Sequence, residues 1–585
     1  MQKASKYEIV RRSSADSGLT NTSRRDVMKG LALAAVARGL TSTALGETAA
    51  APAANAYPKI NSATGDPVRA SSSSPVVETE YGRVRGYIRN SIYTFKGIPY
   101  AADTAGANRF VPAQKPAPWK GIRSSMYPGH VCPQPSFTTN SGDEYLWLFK
   151  WEDGVRKEDC LSLNVWTPGL DNGKRPVMVW LHGGAYTMGS STESPSYDGE
   201  NLARYGDVVM VSLNHRLGVF GFLNLADYGE QYANSGAVGM LDIVTGLEWV
   251  RDNIANFGGD PNRVMIFGQS GGGMKVTVLM AMPPAKGLFH RAAVHSGSVL
   301  GAVRPEDSQE MTQKLLKKLD ISGKDLTKLQ QIPADQLLEA AMGVNSMSGP
   351  VGRPGIIDFR HTGLLQSWAP VAGNAAIPDQ PFNPRAPECS AKVPLLVGTT
   401  LNEFTNGVDN PDCFKMTEEE LKAKVQTAWP GKVDAILQAY RKNLRGANNF
   451  ELWSVIAASS PRAMSREQAR LKAEQKDAPA YCFRFDWHTP VLDGRPLAQH
   501  GSDMAFAFDN TAKFENMTGD GPEARALANR MSQAWIHFAR TGDPNHSGIP
   551  HWEPFHPSTN GTMVFDNECA FCEHLDDECL KVTEE

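Results

Sequence analysis

The chain has 585 residues, of which 41% are hydrophobic, and this apolar content excludes a wholly disordered protein. Its 59 basic and 63 acidic residues give a formal net charge of −4. Such a near balance offers no electrostatic attraction for nucleic acid or for an anionic membrane surface, so we expect neither as a partner.

The first 56 residues have the organisation of a twin-arginine export signal. The sequence SRRDVMK covers residues 23–29, the apolar run GLALAAVA covers residues 30–37, and an A-x-A cleavage pattern ends at Ala56. A disordered basic tail is the alternative interpretation. We predict a signal peptide over residues 1–56 and therefore a protein that is exported to the periplasm or secreted.

The chain after the signal divides into an arm and a globular part. Residues 57–75 are rich in Ala, Ser, Pro and Asn and predict a flexible arm, whereas residues 76–585 are predicted to form a single domain. The apolar run at residues 30–37 is too short to anchor the protein permanently in a bilayer, and no later segment has the unbroken apolar length of a membrane span.

Four short apolar runs with β-branched residues end at glycine or at a polar turn, which is typical of strands buried on both faces of a parallel sheet. They cover residues 176–181, 208–213, 264–267 and 393–397. Apolar residues recur at helical spacing over residues 239–255. Strands alternating with helices predict an α/β fold, with a central, mostly parallel sheet flanked by helices and functional groups at the carboxyl ends of the strands.

A glycine-rich loop, His182-Gly183-Gly184-Ala185, follows the first predicted strand. It resembles the HGGG-type loop whose backbone N–H groups stabilise the negative oxygen that forms when a serine attacks a carbonyl. We expect the N–H groups of Gly184 and Ala185 to be such donors. A plain strand-ending turn is the alternative interpretation.

The pentapeptide GQSGG at residues 268–272 follows the third predicted strand and precedes a helix-compatible segment at residues 274–280. This is the context of a nucleophile elbow, in which a strained turn exposes a serine near a helix N-terminus. Ser270 is then the candidate nucleophile, and the N–H of Gly271 is a third oxyanion donor. A G-x-S-x-G in a glycine-rich chain is by itself more often a structural turn, so the prediction depends on the flanking strand and helix.

An exported protein can keep disulfide bonds, and the chain has eight cysteines: Cys132, Cys160, Cys389, Cys413, Cys482, Cys569, Cys572 and Cys579. The C-x-x-C of Cys569 and Cys572 could join Cys579 and His574 in a zinc site. A C-terminal disulfide with a spare thiol is the preferred interpretation, because the four side chains are crowded and the tail is acidic. We therefore predict no metal site.

Motifs spread along the chain carry a resemblance to a known family. They are FKGIPYA at 95–101, RFVPAQKPAPW at 109–119, EDCLSLNVWTP at 158–168, HRLGVFGFL at 215–223, WVRDNIANFGGDPNRVMIFGQSGG at 249–272 and FARTGDPN at 538–545. On these motifs the chain resembles the type B carboxylesterases, the cholinesterase-like branch of the α/β-hydrolases. The resemblance implies an α/β-hydrolase fold and a serine enzyme that cleaves a small-molecule ester to acid and alcohol through an acyl-serine intermediate, without a cofactor.

The resemblance also places the remaining catalytic groups. The family's acid lies in a G-x-N-x-D-E-G context, which here reads GTTLNEF at residues 398–404 and makes Glu403 the acid, with Asn402 and Phe404 replacing the usual Asp and Gly. The histidine of the family's H-G-x-[DE] context is His500. His500 would accept the serine proton, and Glu403 would fix its tautomer and stabilise the imidazolium.

Two further features follow from the resemblance. Cys132 and Cys160 match the family's first disulfide. The residue before the serine is Gln269 where the family usually has Glu, which should make the pocket less negative, so we predict no special preference for cationic choline esters.

Alternative functions remain open at this point. Amide hydrolysis or acyl transfer would use the same triad, because the acyl-serine intermediate is shared. Some members of the family are adhesion modules that have lost the serine, but all three catalytic positions are filled here. A non-catalytic binding module is therefore the weaker alternative.

Overall fold

The computed structural model describes residues 67–139, 141–323, 325–344, 368–404 and 407–584. The predicted signal peptide and the arm as far as residue 66 lie outside the described residues. The first described strand begins at Val76.

The strands of the described chain, in order, are β1 Val76–Thr79, β2 Gly82–Arg85, β3 Tyr87–Arg89, β4 Ile92–Pro99, β5 Ile122–Ser124, β6 Ser162–Thr167, β7 Arg175–Leu181, β8 Val209–Leu213, β9 Gly259–Gln269, β10 Arg291–His295, β11 Leu395–Thr400, β12 Ala480–Phe485, β13 Thr562–Phe565 and β14 Ala570–Cys572.

The helices of the described chain are α1 Asp143–Phe149, α2 Glu200–Gly206, α3 Gly218–Phe222, α4 Val238–Asn253, α5 Gly271–Met280, α6 Pro305–Lys318, α7 Thr327–Gln331, α8 Ala334–Met342, α9 Glu418–Ala428, α10 Val433–Asn443, α11 Asn449–Ala457, α12 Ser459–Glu474, α13 Met504–Ala507, α14 Glu515–Thr518, α15 Pro522–Thr541 and α16 Asp577–Glu584. None of these described helices has the length and apolar character needed to cross a bilayer.

The larger of two sheets has 11 strands in the order β14-β13-β12-β11-β10-β9-β7-β8-β6-β4-β3. Its centre, from β8 through β7, β9, β10, β11 and β12 to β13, is parallel, and antiparallel strands complete both edges. Strands β1, β2 and β5 form the small second sheet. The predicted fold, an α/β-hydrolase with a mostly parallel sheet flanked by helices, is confirmed.

The four predicted strands are present as β7, β8, β9 and β11, with shifted ends. The largest shift is in β9, which begins at Gly259 because its pairing with β7 already starts at Arg175. The predicted helix over residues 239–255 is α4, which ends at Asn253, and the chain then tightens into a 3-10 turn before Gly258 in left-handed conformation.

Strand β7 shows why this sheet is buried on both faces. Val177 and Val179 pack into the hydrophobic cluster on one face, while Met178 and Trp180 pack into the cluster on the other, and each is at most 1% exposed. Because successive strand residues point to opposite faces, a run that is apolar at every position can only be covered by helices on both sides. The carboxyl ends of the parallel strands are left to carry polar groups.

Candidate active site

Ser270 lies between the end of β9 and the start of α5, on a turn that forces its backbone out of the usual regions. Its φ is 57° and its ψ is −125°, and its N–H donates to His295 O at 2.8 Å. A non-glycine residue at positive φ is strained, and such strain concentrates at functional sites. The turn leaves Ser270 partly exposed, although the strand and helix on either side of it are buried.

Glycines on both sides of Ser270 make this turn possible. A β-carbon on Gly268 would lie 2.4 Å from the carbonyl carbon of Gly272, and one on Gly272 would lie 2.0 Å from Leu181 O. Neither position can take a side chain without moving backbone. The strand, the helix and the two small residues are the features that the sequence predicts for a nucleophile elbow.

The loop after β7 passes directly beside this turn. Gly184 and Ala185 have φ values of 79° and 52°, and a β-carbon placed on Gly271 would lie 2.3 Å from Ala185 N. The N–H groups of Gly184 and Ala185 donate no hydrogen bond to another described residue. The three predicted donors thus belong to backbone segments in contact with one another, next to Ser270.

Glu403 and His500 meet although 97 residues separate them in the chain. Glu403 Oε2 lies 2.5 Å from His500 Nδ1, and the Glu403 side chain is fully buried. Two backbone bonds hold the pair: Thr400 N donates to Glu403 Oε1 at 3.0 Å, and His500 N donates to Glu403 O at 2.7 Å. This arrangement leaves Nε2 as the imidazole nitrogen that can exchange a proton with another group.

His500 Nε2 contacts Gln269 in this structure. The Gln269 side-chain nitrogen lies 3.1 Å from it, and no hydrogen bond joins Ser270 Oγ to His500. With Nδ1 donating to Glu403, Nε2 accepts from the Gln269 amide. The structure therefore brings Glu403 and His500 into direct contact. Ser270 lies next in sequence to Gln269, whose side-chain amide contacts His500 Nε2. Catalytic hydrogen bonds commonly tighten only when substrate is bound.

Asn402 and Phe404, the two residues beside Glu403 that differ from the family pattern, have distinct effects. Asn402 Nδ2 donates to Ser454 Oγ at 2.8 Å, and its Oδ1 accepts from Ala498 N at 3.1 Å, so the amide ties the turn to the segment that carries His500. An aspartate could not make the first bond because it has no donor when ionised. Phe404 stacks on the His500 ring at a centroid distance of 4.1 Å and an interplanar angle of 30°.

A buried network connects the segments of Ser270 and His500. His295, whose carbonyl accepts from Ser270 N, has Nδ1 2.6 Å from Asp503 Oδ2 and Nε2 2.7 Å from Trp535 Nε1. His295 and Asp503 are fully buried. Because Asp503 follows His500 closely in the chain, this network fixes the His500 loop against the end of β10.

The sequence did not reveal the contacts of Gln269, Phe404 and Lys275. In the sequence, Gln269 and Phe404 stand out only as departures from the family pattern, and Lys275 belongs to no motif. The sequence does contain a signal for Lys275. It is the one charged residue in GGGMKVTVLM, the sequence of α5, whose other residues are apolar or small. A charged side chain that helix packing buries requires hydrogen-bonding or charged partners, so such a residue indicates a buried polar contact.

The predicted disulfide between Cys132 and Cys160 is not formed. The Cys132 and Cys160 thiols are buried but are not at disulfide distance, and interaction with Cys132 together with burial raises the pKa of Cys160 well above its usual range. Over the part of the chain that the structure describes, no group of three or more His, Cys, Asp or Glu side chains is placed to hold a metal ion.

Comparisons with known proteins agree with this architecture. The family model described as the carboxylesterase family matches residues 73–581. The chain belongs to the carboxylesterase family. This carboxylesterase is 34% identical over 501 residues to the para-nitrobenzyl esterase of Bacillus subtilis, covering 84% of this chain and 95% of that relative. It is 31% identical over 509 residues to the phenmedipham hydrolase of Pseudarthrobacter oxydans, covering 85% and 96%.

Solved structures give the same result. An esterase from Clostridium hathewayi, reported to hydrolyse aliphatic aromatic polyesters, superposes with a TM-score of 0.75 and 35% identity, covering 88% of this chain and 98% of the other. This carboxylesterase is thus a serine hydrolase that cleaves carboxylic esters. Amide hydrolysis and acyl transfer are not favoured, and the chain is an enzyme and not a binding module.

Proposed function

We propose that Ser270, His500 and Glu403 form the catalytic triad of this ester hydrolase. The observation that carries the proposal is the 2.5 Å contact between His500 Nδ1 and Glu403 Oε2 beside the strained Ser270 turn. His500 Nε2 takes the Ser270 proton as Oγ attacks the ester carbonyl, and it returns the proton to the leaving alcohol. Water then attacks the acyl-serine in the same way, which releases the acid.

The oxyanion of each tetrahedral intermediate is proposed to bind to the N–H groups of Gly184, Ala185 and Gly271. Support comes from the contact of Gly271 with the Ala185 backbone and from the absence of other described acceptors for Gly184 and Ala185. Losing one such donor typically costs about 3–4 kcal/mol of transition-state stabilisation. The left-handed φ of Ala185, which costs a non-glycine residue about 1–2 kcal/mol, fits a loop held in place for this purpose.

For the substrate we propose neutral esters with an aromatic acyl or alcohol group. Gln269 brings no charge beside Ser270, and Phe404 covers His500 with a ring that is 39% exposed. A second aromatic group reaches the site from α1: the Phe149 ring would lie 3.6 Å from a β-carbon on Gly501, and it stacks on Tyr145 at 4.6 Å. The name of the Bacillus subtilis relative, para-nitrobenzyl esterase, and the aliphatic aromatic polyesters reported for the Clostridium hathewayi esterase both fit aromatic substrates.

A substrate comparison tests this proposal. Catalytic efficiency is measured on benzoate and phenyl esters, on alkyl esters of rising acyl length and on a choline ester matched in acyl length to a neutral ester. The expected result is higher kcat/KM for the aromatic esters and no advantage for the choline ester. A clear choline preference would overturn the substrate proposal and leave the triad untouched.

Variants test the triad separately. Ser270→Ala should abolish turnover of every ester, and Glu403→Gln should lower kcat about 10³–10⁴-fold, because the amide cannot stabilise the imidazolium and favours the wrong tautomer. Near-normal turnover by a folded Glu403→Gln enzyme would exclude Glu403 as the acid.

We propose in addition that the enzyme is exported and that Cys132 and Cys160 then become linked. Both thiols are buried, and interaction with Cys132 together with burial raises the pKa of Cys160, which indicates that the two lie near each other. Closing the loop between them should add about 3–4 kcal/mol of stability through the entropy of the unfolded chain. Mass spectrometry of the enzyme isolated from the producing cell should show cleavage near Ala56, and a reductant should lower its Tm. An uncleaved, reductant-insensitive protein would contradict both parts.

A further inference from the structure

Lys275 places a buried cation directly behind residues 182–185, the loop that carries the proposed donors Gly184 and Ala185 and is called the oxyanion loop below. It lies on α5, and its side chain is 0% exposed. Both hydrogen bonds of its ammonium go to backbone carbonyl oxygens of that loop, to His182 O at 2.9 Å and to Gly183 O at 3.4 Å. Removing an ammonium from water is unfavourable, and an apolar residue of similar length would often be as stable at such a position. General stability therefore does not explain a lysine here.

The two carbonyls belong to consecutive peptide groups, His182–Gly183 and Gly183–Gly184, and the second of these carries a proposed donor. The peptide whose oxygen is Gly183 O carries the N–H of Gly184 at its other end. A cation at the oxygen of this planar, dipolar group fixes its orientation and makes its N–H a stronger donor. We propose that Lys275 is a positioning residue of ester hydrolysis, which clamps and polarises the oxyanion loop from the side opposite the substrate. This inference depends on the proposed role of Gly184.

The groups around Lys275 favour this role. His182 and His215 stack at 4.9 Å, and burial lowers the pKa of each well below its usual range, so neither adds a cation. Glu193 is 2% exposed, accepts from Tyr197 and from Ser190 N, and attracts Lys275 through space. Glu193 therefore leaves the hydrogen bonds of the Lys275 ammonium to the two carbonyls.

The clamp should weaken as the pH rises. Burial lowers the pKa of Lys275 to about 7 and raises that of Glu193 to about 8. Below about pH 7 the amine is a cation, and above it the charge is lost while Glu193 ionises. The more distant charges of Asp153, which acts on Glu193, and of Arg216, which acts on His215, do not titrate in this range. The contribution of Lys275 should thus be largest at mildly acidic pH.

The test compares Lys275→Met with Lys472→Met. Lys472 is a matched control, because its buried ammonium also donates to backbone carbonyls, those of Ser390 and Ala391, but remote in sequence from the oxyanion loop. Each variant is assayed with a neutral aryl ester and with a trifluoromethyl ketone, which forms a tetrahedral adduct, alongside the corresponding methyl ketone as a ground-state ligand. Thermal unfolding and circular dichroism report folding, and Lys275→Gln, which keeps a neutral donor, is the second variant.

We expect Lys275→Met to lower kcat/KM and trifluoromethyl ketone affinity by the same factor, about tenfold or more, and to leave methyl ketone binding within twofold. Lys275→Gln should fall between Met and wild type, and Lys472→Met should keep wild-type kinetics. The ratio of wild-type to Lys275→Met efficiency should shrink between pH 6 and pH 9, because Lys275 loses its charge over this range.

Three results would overturn the proposal: unchanged kinetics in folded Lys275 variants, equal losses for both ketones, or a ratio that is constant with pH. Failure of the proposed function would look different. In that case the Ser270→Ala enzyme would retain ester hydrolysis, whatever the Lys275 variants do.

Discussion

At the scale of single residues, the uncharged amide of Gln269 determines how the imidazole rests before substrate binds. The amide nitrogen lies 3.1 Å from His500 Nε2, the atom that has to accept the serine proton. An amide can donate to the neutral imidazole, whereas a carboxylate at the same place would face a lone pair unless the ring became protonated. The difference predicts a change in pH dependence.

Gln269→Glu should move the acid limb of the kcat/KM profile to higher pH by about one pH unit, because a carboxylate near the ring stabilises its protonated, inactive form. Efficiency should fall on the acid side of the profile and recover toward wild type as the pH rises. The measurement is a pH–rate profile on a neutral ester. Gln269→Met, which removes the amide without adding charge, is the control and should leave the limb in place; an unmoved limb in Gln269→Glu would contradict the account.

Phe404 is the second residue whose side chain touches the imidazole. A stacked aromatic pair contributes about 0.5–1.5 kcal/mol beyond burial, so Phe404→Ala should lower kcat roughly three- to tenfold on esters of any acyl group. Phe414→Ala is a matched control, because Phe414 is similarly exposed and contacts Phe450 instead of the site. Equal kinetics for the two variants would mean that the stack has no catalytic effect.

At the scale of elements, the turn from β9 to α5 depends on backbone contact with the end of β7. Gly272→Ala should destabilise the enzyme by more than about 2 kcal/mol and remove most activity, because the new methyl group would meet Leu181 O at 2.0 Å. Urea unfolding and ester turnover measure both effects. At Gly521 a β-carbon meets nothing within 4 Å, so Gly521→Ala should cost less than about 1 kcal/mol and keep activity.

The strands and the elbow were predictable because local signals and tertiary packing agree at these positions. The apolar runs in β7 and β9 have no polar residue and are followed by glycine-rich turns. This pattern is typical of a strand that is buried on both faces of the sheet and leads into a tight turn. The partners of Ser270 carry a different signal. Family motifs indicate His500 and Glu403, but nothing in the local sequence of either residue predicts that a loop after β12 returns to the end of β11.

The contacts of Gln269, Asn402 and Lys275 were beyond prediction for a physical reason. Each depends on the direction of a side chain toward a segment that is distant in sequence: His500, Ser454 and the oxyanion loop, respectively. Motifs specify the residues that carry out the chemistry. The supporting contacts depend on how two distant segments pack together, and the local sequence of either segment alone does not predict this packing.

At the scale of the whole molecule, a buried ion pair links the carboxyl end of the sheet to a helix on its face. Arg216, just after β8, donates from Nε at 2.8 Å and from a terminal nitrogen at 2.6 Å to Asp242 on α4, and the two side chains are 2% and 0% exposed. Both charged groups are shielded from water, so each needs the other to compensate its buried charge.

Arg216→Met should therefore lower the free energy of unfolding by about 3–5 kcal/mol, because it leaves Asp242 buried without its cation. Denaturant unfolding gives the value. Arg251→Ala is the control, since its pair with Asp252 is solvent-exposed and such pairs contribute about 0–1 kcal/mol. Equal effects of the two substitutions would contradict the structural role of the buried pair.

The central claim is that Ser270 is the nucleophile, and covalent labelling tests it most directly. The native enzyme is treated with a fluorophosphonate, digested and analysed by peptide mass spectrometry, with Ser270→Ala processed in parallel. The account predicts one adduct, on Ser270, with activity lost in proportion to labelling and no adduct in the variant. Labelling of another residue, or persistent ester hydrolysis by Ser270→Ala, would contradict it.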